Sequence, residues 1–278
     1  MSDSSRRPLT RREWRHVHGA TAETPVEGAA EEATSTVLPI ASTGEATGQG
    51  QAAASRPSPS RDTGGDFSLA TMFASADAEQ PATLPTILTV CTGNICRSPL
   101  AATLLATRLS DLAVQVGSAG TQALVGHGMP EPARRIALLH GADPDLVTDH
   151  EARLLTEPRL HEADLVLAMT GEHRTFALHL APSGLRRTFA VREFARLAAT
   201  LEDKTLHEIV EGAGSAPRAR LEAVVTAVAD QRGTSPAAEG DEDVVDPYRR
   251  SFSVYEESAA QLVPALDEVE RVIRAALG

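Results

Sequence analysis

The sequence predicts an α/β fold built on a four-stranded parallel sheet, and three observations predict it. Short β-rich runs alternate with helix-forming runs from about residue 85 to the C-terminus, the pattern of repeated strand–helix crossovers. Ala163-Asp164-Leu165-Val166-Leu167-Ala168-Met169 is an almost continuous apolar run, as a strand covered on both faces requires. The 278 residues are 42% hydrophobic, enough for one or two domains with a substantial core.

The elements can be justified in order. Residues 1–83 are rich in Ala, Ser, Thr, Glu, Gly and Pro without sustained periodicity, and are expected to be a disordered tail. One patch in it, around Trp14 and its neighbouring arginines, reads as a docking peptide, a weak membrane-surface contact or a solvated basic terminus. Residues 86–90 read as the first strand and residues 100–109 as the first helix. Residues 113–116 read as a second strand, followed by a loop at 117–121. Residues 131–141 form a helix with Pro132 near its start and Gly141 at its end. After the apolar third strand, Thr170 is the N-cap of the next helix. Residues 188–191 read as a fourth strand, and Arg192 opens a further helix. Residues 217–230 have helical apolar spacing at Leu221, Val224, Val225 and Val228. This helix is expected beside the active site, for packing or as a partial lid. The acidic run 239–243 reads as solvated. Residues 253–277 form a terminal helix with Val254, Leu262, Val263, Leu266 and Val269 toward the core.

Composition narrows the function. A net charge of −12 argues against a general nucleic-acid partner. Both cysteines, Cys91 and Cys96, lie in one short stretch, so they staple no distant elements, and a reducing cytoplasm fits. No apolar run approaches the roughly eighteen residues that span a bilayer, so no stable membrane insertion is expected. The Arg-bearing start lacks an apolar h-region, so no secretory signal is expected.

The chemistry concentrates in Cys91-Thr92-Gly93-Asn94-Ile95-Cys96-Arg97-Ser98-Pro99, between the first strand and the first helix. That placement aims loop N–H groups and the positive end of a helix dipole at one point, which suits a dianion such as phosphate or arsenate. The amides, the dipole and Arg97 together favour a thiolate at Cys91. Arg97 offers a planar fork to two phosphoryl oxygens. Gly93 and Asn94 tolerate left-handed backbone, and Ser98 can donate its hydroxyl to the sulfur.

Residues 91–99 resemble the phosphate-binding loop of the low-molecular-weight protein tyrosine phosphatase family. Ser118-Ala119-Gly120, the segment 149–155 and Val244-Val245-Asp246-Pro247-Tyr248 are similar to further family segments. The resemblance implies a three-layer α/β/α domain over residues 84–278, with strand order 2-1-3-4 and an insertion at about 202–240. It implies that residues 122–128 line the cleft, and that His127 is a surface residue rather than a base. It implies Cys91 as nucleophile, Arg97 as oxyanion ligand and Asp246 as general acid. Thr92, Gly93, Asn94, Ile95, Cys96 and Ser98 would form the phosphate cradle, with Tyr248 stacking on the substrate ring. Cys96 would also be able to form a reversible disulfide with Cys91. No metal or cofactor is required. The partner would be a phosphotyrosine-containing protein, such as a bacterial tyrosine kinase. A protein-arginine phosphatase, a small-thiol-coupled arsenate reductase and an inactive phosphate-binding adaptor are the alternatives.

Overall fold

The computed structural model describes residues 84–234 and 242–278. The expected disordered tail, with its Trp14 patch, and residues 235–241 lie outside the described residues. Strands β1 (Thr86–Cys91), β2 (Gln115–Gly120), β3 (Leu165–Ala168) and β4 (Thr188–Ala190) form one parallel sheet in the order β2-β1-β3-β4. The helices are α1 (Arg97–Arg108), α2 (Glu131–Leu139), α3 (Pro144–Thr148), α4 (Glu157–Glu162), α5 (Gly171–Leu180), α6 (Val191–Ala198), α7 (Asp203–Gly212), α8 (Pro217–Asp230) and α9 (Phe252–Leu277).

The period of two along the strands makes the three layers. Ile87, Leu165, Leu167 and Phe189 face one side and pack with apolar residues of α1, α2 and α6 to α9. Leu88, Val90 and Val166 face the other and pack against Leu160, Ala177 and Ala181 from α4, α5 and the residue after α5. All four residues of β3 are buried, as its unbroken apolar run requires. In a parallel sheet every strand ends at the same edge. That edge therefore collects the residues after β1, β2 and β3 into one crevice, beside the point where the strand order reverses.

Two expectations need correction, and one helix was not anticipated. The segment 117–120 is strand, not loop: β2 pairs with β1 through Gly120 opposite Cys91. The ladder on one side, and the Arg153 carbonyl and Leu155 N–H on the other, hold Gly120 extended. Residues 203–212 are helical, which no strong local pattern announced; Leu206 and Val210 bury its inner side. Helix α8 occupies the expected residues and buries Leu221, Val224, Val225 and Val228. It packs against α6, α7 and α9 rather than over the crevice. At its start Arg218 pairs with Asp164, which precedes β3 and so lies at the opposite edge of the sheet.

Candidate active site

The loop between β1 and α1 is held from every side. Asn94 takes the left-handed conformation at φ 54°, which its short polar side chain tolerates. Its side chain is fully buried and engaged at both ends: Nδ2 donates to Ser98 Oγ at 2.9 Å, and Oδ1 accepts from the Arg153 N–H at 2.8 Å. His150 Nε2 lies 2.7 Å from the Asn94 carbonyl. The expectation for Gly93 is not met, since only Asn94 in this loop has positive φ. The glycine the loop does need is Gly120. A Cβ there would stand 2.5 Å from the Thr92 carbonyl oxygen and 3.0 Å from Asn94 N. The chain from Thr121 onward then runs alongside, its Thr121, Gln122 and Leu124 N–H groups donating to the carbonyls of Cys91, Thr92 and Gly93.

Cys91 and Ser98 meet as expected, with Sγ and Oγ 3.0 Å apart. Ser98 Oγ accepts from Asn94, and its own proton has two acceptors within reach, the Cys91 sulfur and, at 3.4 Å, the Ala119 carbonyl. Helix α1 has no side-chain cap at Cys96 and no acidic residue in its first turn. Its first N–H groups and positive dipole end therefore stay available to an anion.

Arg97 is 5% exposed, and its guanidinium is divided among distinct partners. Nη1 donates to the Val244 carbonyl at 3.1 Å, and Nη2 pairs with Asp246 Oδ2 at 2.8 Å. Nε is buried without a partner among the described residues. An isolated donor of this kind costs stability unless an oxyanion uses it. Thus Asp246, 149 positions along the chain from Arg97 (246 − 97), is brought to the mouth of the loop. Cys91, Thr92, Gly93, Ile95, Cys96, Arg97, Asp246 and Tyr248 share a cleft of about 280 Å³ with Gln122, Leu124 and Arg249. Of the segment expected to line it, Gln122 and Leu124 do so, while His127 is exposed on the surface. Asn94 and Ser98 stand behind the cleft wall, through the bonds already given. Tyr248 is half-exposed, with the Arg249 guanidinium 5.1 Å above its ring.

The acidic run before Asp246 is not simply solvated. Asp243 Oδ1 accepts the Gly171 N–H at 2.7 Å, and Glu242 pairs with Arg196. The Arg192 guanidinium reaches the Asp243 carbonyl at 3.0 Å, and the Val244 N–H donates to the Met169 carbonyl at 2.9 Å. The segment carrying Asp246 is therefore anchored on the ends of β3 and α6.

Cys96 is buried, 3.9 Å from the Tyr255 hydroxyl. Burial pushes its thiol up to about 12, against the opposing effect of the Tyr255 hydrogen bond, and the negative field of Cys91 and Asp246 adds to the rise. A thiol held neutral is a weaker nucleophile than a thiolate, and Cys96 belongs to the buried apolar core.

Sequence reasoning missed His173. Its ring is buried, with Nε2 2.8 Å from Thr92 Oγ1 and Nδ1 2.8 Å from Thr170 Oγ1. The available signal was Thr170 as N-cap with a histidine three residues on, in the first turn of a helix leaving the sheet's functional edge. Burial first, and then the positive charge of Arg97, lowers His173 from 6.5 to about 4, although Asp246 and Asp243 oppose this. The folded chain thus prefers the neutral ring, and between those pH values the unfolded chain binds the additional proton. Stability from this group is complete above about pH 6.5 and declines as pH falls through about 4, by roughly 3 kcal/mol in total. Thermal unfolding of wild type and His173→Asn between pH 7 and 4 is expected to give a shallower acid decline in the variant. Parallel curves would remove His173 from the acid response.

A parallel sheet whose central strand delivers a Cys-x5-Arg loop, faced by a carboxylate on a returning segment, defines an α/β protein with a cleft suited to an oxyanion. The family model described as low molecular weight phosphotyrosine protein phosphatase matches residues 86–205. Etp of Escherichia coli K12, a low molecular weight protein-tyrosine-phosphatase, is 43% identical over 34% of this chain and 62% of its own length. EpsP of Ralstonia solanacearum, a probable enzyme of the same description, is 38% identical over 40% of this chain and 72% of its own. A protein-arginine-phosphatase of Geobacillus stearothermophilus is 34% identical over 39% and 70%. The chain belongs to the low molecular weight phosphotyrosine protein phosphatase family. The match spans about three fifths of Etp, and the family model's match stops short of Asp246 and α9. Among the described residues, no helix is long and apolar enough to cross a membrane.

Proposed function

We propose that this chain is a protein-tyrosine phosphatase that hydrolyses phosphotyrosine in proteins through a cysteinyl-phosphate intermediate. One observation carries the reading: a buried cysteine, a buried arginine fork and a carboxylate converge on a single cleft. In the first step Cys91 Sγ attacks phosphorus in line. The bond from phosphorus to the tyrosine oxygen breaks, and that oxygen takes both the electron pair and a proton from Asp246. In the second step water attacks the cysteinyl-phosphate and gives a proton to the Asp246 carboxylate. The sulfur–phosphorus bond then breaks, returning thiolate and inorganic phosphate. Arg97 and the loop amides of residues 92–97 stabilise the equatorial oxygens throughout. The partners are proteins bearing phosphotyrosine, a bacterial tyrosine kinase being one class, and the setting is a reducing cytoplasm. Turnover of p-nitrophenyl phosphate by the wild type separates an enzyme from a phosphate-binding adaptor.

A second reading, protein-arginine phosphatase, is favoured by the Met169-Thr170 pair and by the Geobacillus relative. Ile95 weighs against it, because it presents a branched apolar side chain to the cleft, which suits a phenyl ring better than a guanidinium. Tyr248 at the mouth can stack on the same ring. Higher kcat/KM is therefore expected for phosphotyrosyl than for phosphoarginyl or phosphoseryl peptides. Ile95→Thr should move the tyrosine-to-arginine ratio by roughly tenfold toward phosphoarginine, the scale of one altered pocket contact. A wild type that prefers phosphoarginyl peptides would overturn the substrate assignment.

A further inference from the structure

We propose that His173 is a positioning residue, its ring tying Thr92 of the phosphate-binding loop to Thr170 at the end of β3 so that the loop keeps the shape that receives an oxyanion. The inference rests on the phosphatase reading only for its kinetic consequences; the geometry stands alone. Thr92 is the first residue after Cys91, and its hydroxyl lies 2.8 Å from His173 Nε2. On the other side Nδ1 lies 2.8 Å from Thr170 Oγ1, which also accepts the His173 N–H at 3.2 Å. The ring is thus a strut between two threonines on neighbouring strand ends, and it is almost entirely buried.

The turn that holds the strut also holds the opposite wall of the cleft. Gly171 N–H is taken by Asp243, and the Met169 carbonyl by the Val244 N–H. Val244 in turn gives its carbonyl to Arg97. Through these bonds one short turn, residues 169–173, supports the front of the loop at Thr92, the guanidinium of Arg97 and the segment leading to Asp246. A neutral imidazole can serve both threonines, since one ring nitrogen donates and the other accepts. The groups facing it are Arg97, Asp246 and Asp243, which pull its titration in opposite directions, so the strut is bonding geometry rather than charge.

Three variants test the strut. Asparagine can reproduce the contact of Nδ1 with Thr170 but not the reach of Nε2 to Thr92, whereas glutamine can reproduce that reach. His173→Asn and Thr92→Val are each expected to weaken inorganic phosphate binding, measured by titration calorimetry, by about tenfold, the scale of one hydrogen bond. Each should also lower kcat/KM for p-nitrophenyl phosphate by a similar factor. His173→Gln should recover most of the loss, and Thr92→Val combined with His173→Asn should lose no more than either alone. Equal losses for asparagine and glutamine, additive losses in the double variant, or unchanged phosphate affinity in Thr92→Val would each overturn the proposal. Thr92→Val keeps side-chain shape, so it remains informative if a His173 variant does not fold. Phosphate binding needs no turnover. A wild type that binds phosphate without hydrolysing any phosphoester would therefore defeat the phosphatase reading and leave the strut to be judged by calorimetry.

Discussion

Cys91→Ala is expected to abolish turnover, by roughly 10⁴-fold or more, because it removes the proposed nucleophile and the cleft's other thiol, Cys96, is held neutral by burial. The sulfur is buried at the end of β1 and touches Ser98, so its loss removes one small atom from a packed environment. The fold should survive, as circular dichroism and an unfolding midpoint within a few degrees of wild type would verify. Arg97→Ala should fall nearly as far, since it removes a fork that two phosphoryl oxygens would share. It also strands the Val244 carbonyl and the Asp246 carboxylate, which Arg97 now engages at 3.1 and 2.8 Å. Arg97→Lys keeps the charge but not the planar geometry, and should rescue little. Appreciable phosphotyrosine hydrolysis by Cys91→Ala would end the covalent mechanism.

Asp246→Asn is expected to lower turnover of an aryl phosphate by roughly 10²–10⁴-fold, the usual contribution of a general acid. The loss should depend on the substrate. A leaving phenol of low pKa needs little protonation, so the penalty should shrink along a series from phenyl phosphate to dinitrophenyl phosphate. Rapid-quench trapping should show slow formation of the cysteinyl-phosphate with poor leaving groups. A penalty that stays constant along the series would make Asp246 a scaffold of the cleft rather than its acid.

The site's centre was legible because its signal is local. Cys91 to Pro99 joins a β-rich run to a helix-forming run, and the structure places that junction between β1 and α1 as expected. The apolar run around Val166 similarly reveals a covered central strand. What was not legible depends on contacts between distant segments. Gly117 to Gly120 have little intrinsic strand preference and are extended because β1 lies alongside them. Gly120 matters through its closeness to the Thr92 carbonyl, a fact of packing that its own sequence neighbours do not contain. His173 reads as an ordinary first-turn residue until the sheet brings Thr92 to its ring. Asp243 reads as a solvated acid until it meets the N-terminus of α5. The helix over 217–230 was correctly anticipated from its periodicity, but periodicity gives which side is buried and not which neighbour buries it.

The pairing of Arg97 with Asp246 means that the arginine fork already has a negative partner in this structure. A carboxylate pairs with the guanidinium that the proposed phosphate ester would use, so on that reading loading the cleft exchanges one negative partner of Arg97 for another. Net affinity is the difference between two pairings, which moderates the pull on any single oxyanion. In the proposed mechanism Asp246 holds the proton taken from water when inorganic phosphate forms, and once it gives that proton up its carboxylate can pair with Arg97 again and compete with the product. If Asp246 is the acid, the same side chain would be a proton donor when protonated and a rival anion for Arg97 when ionised.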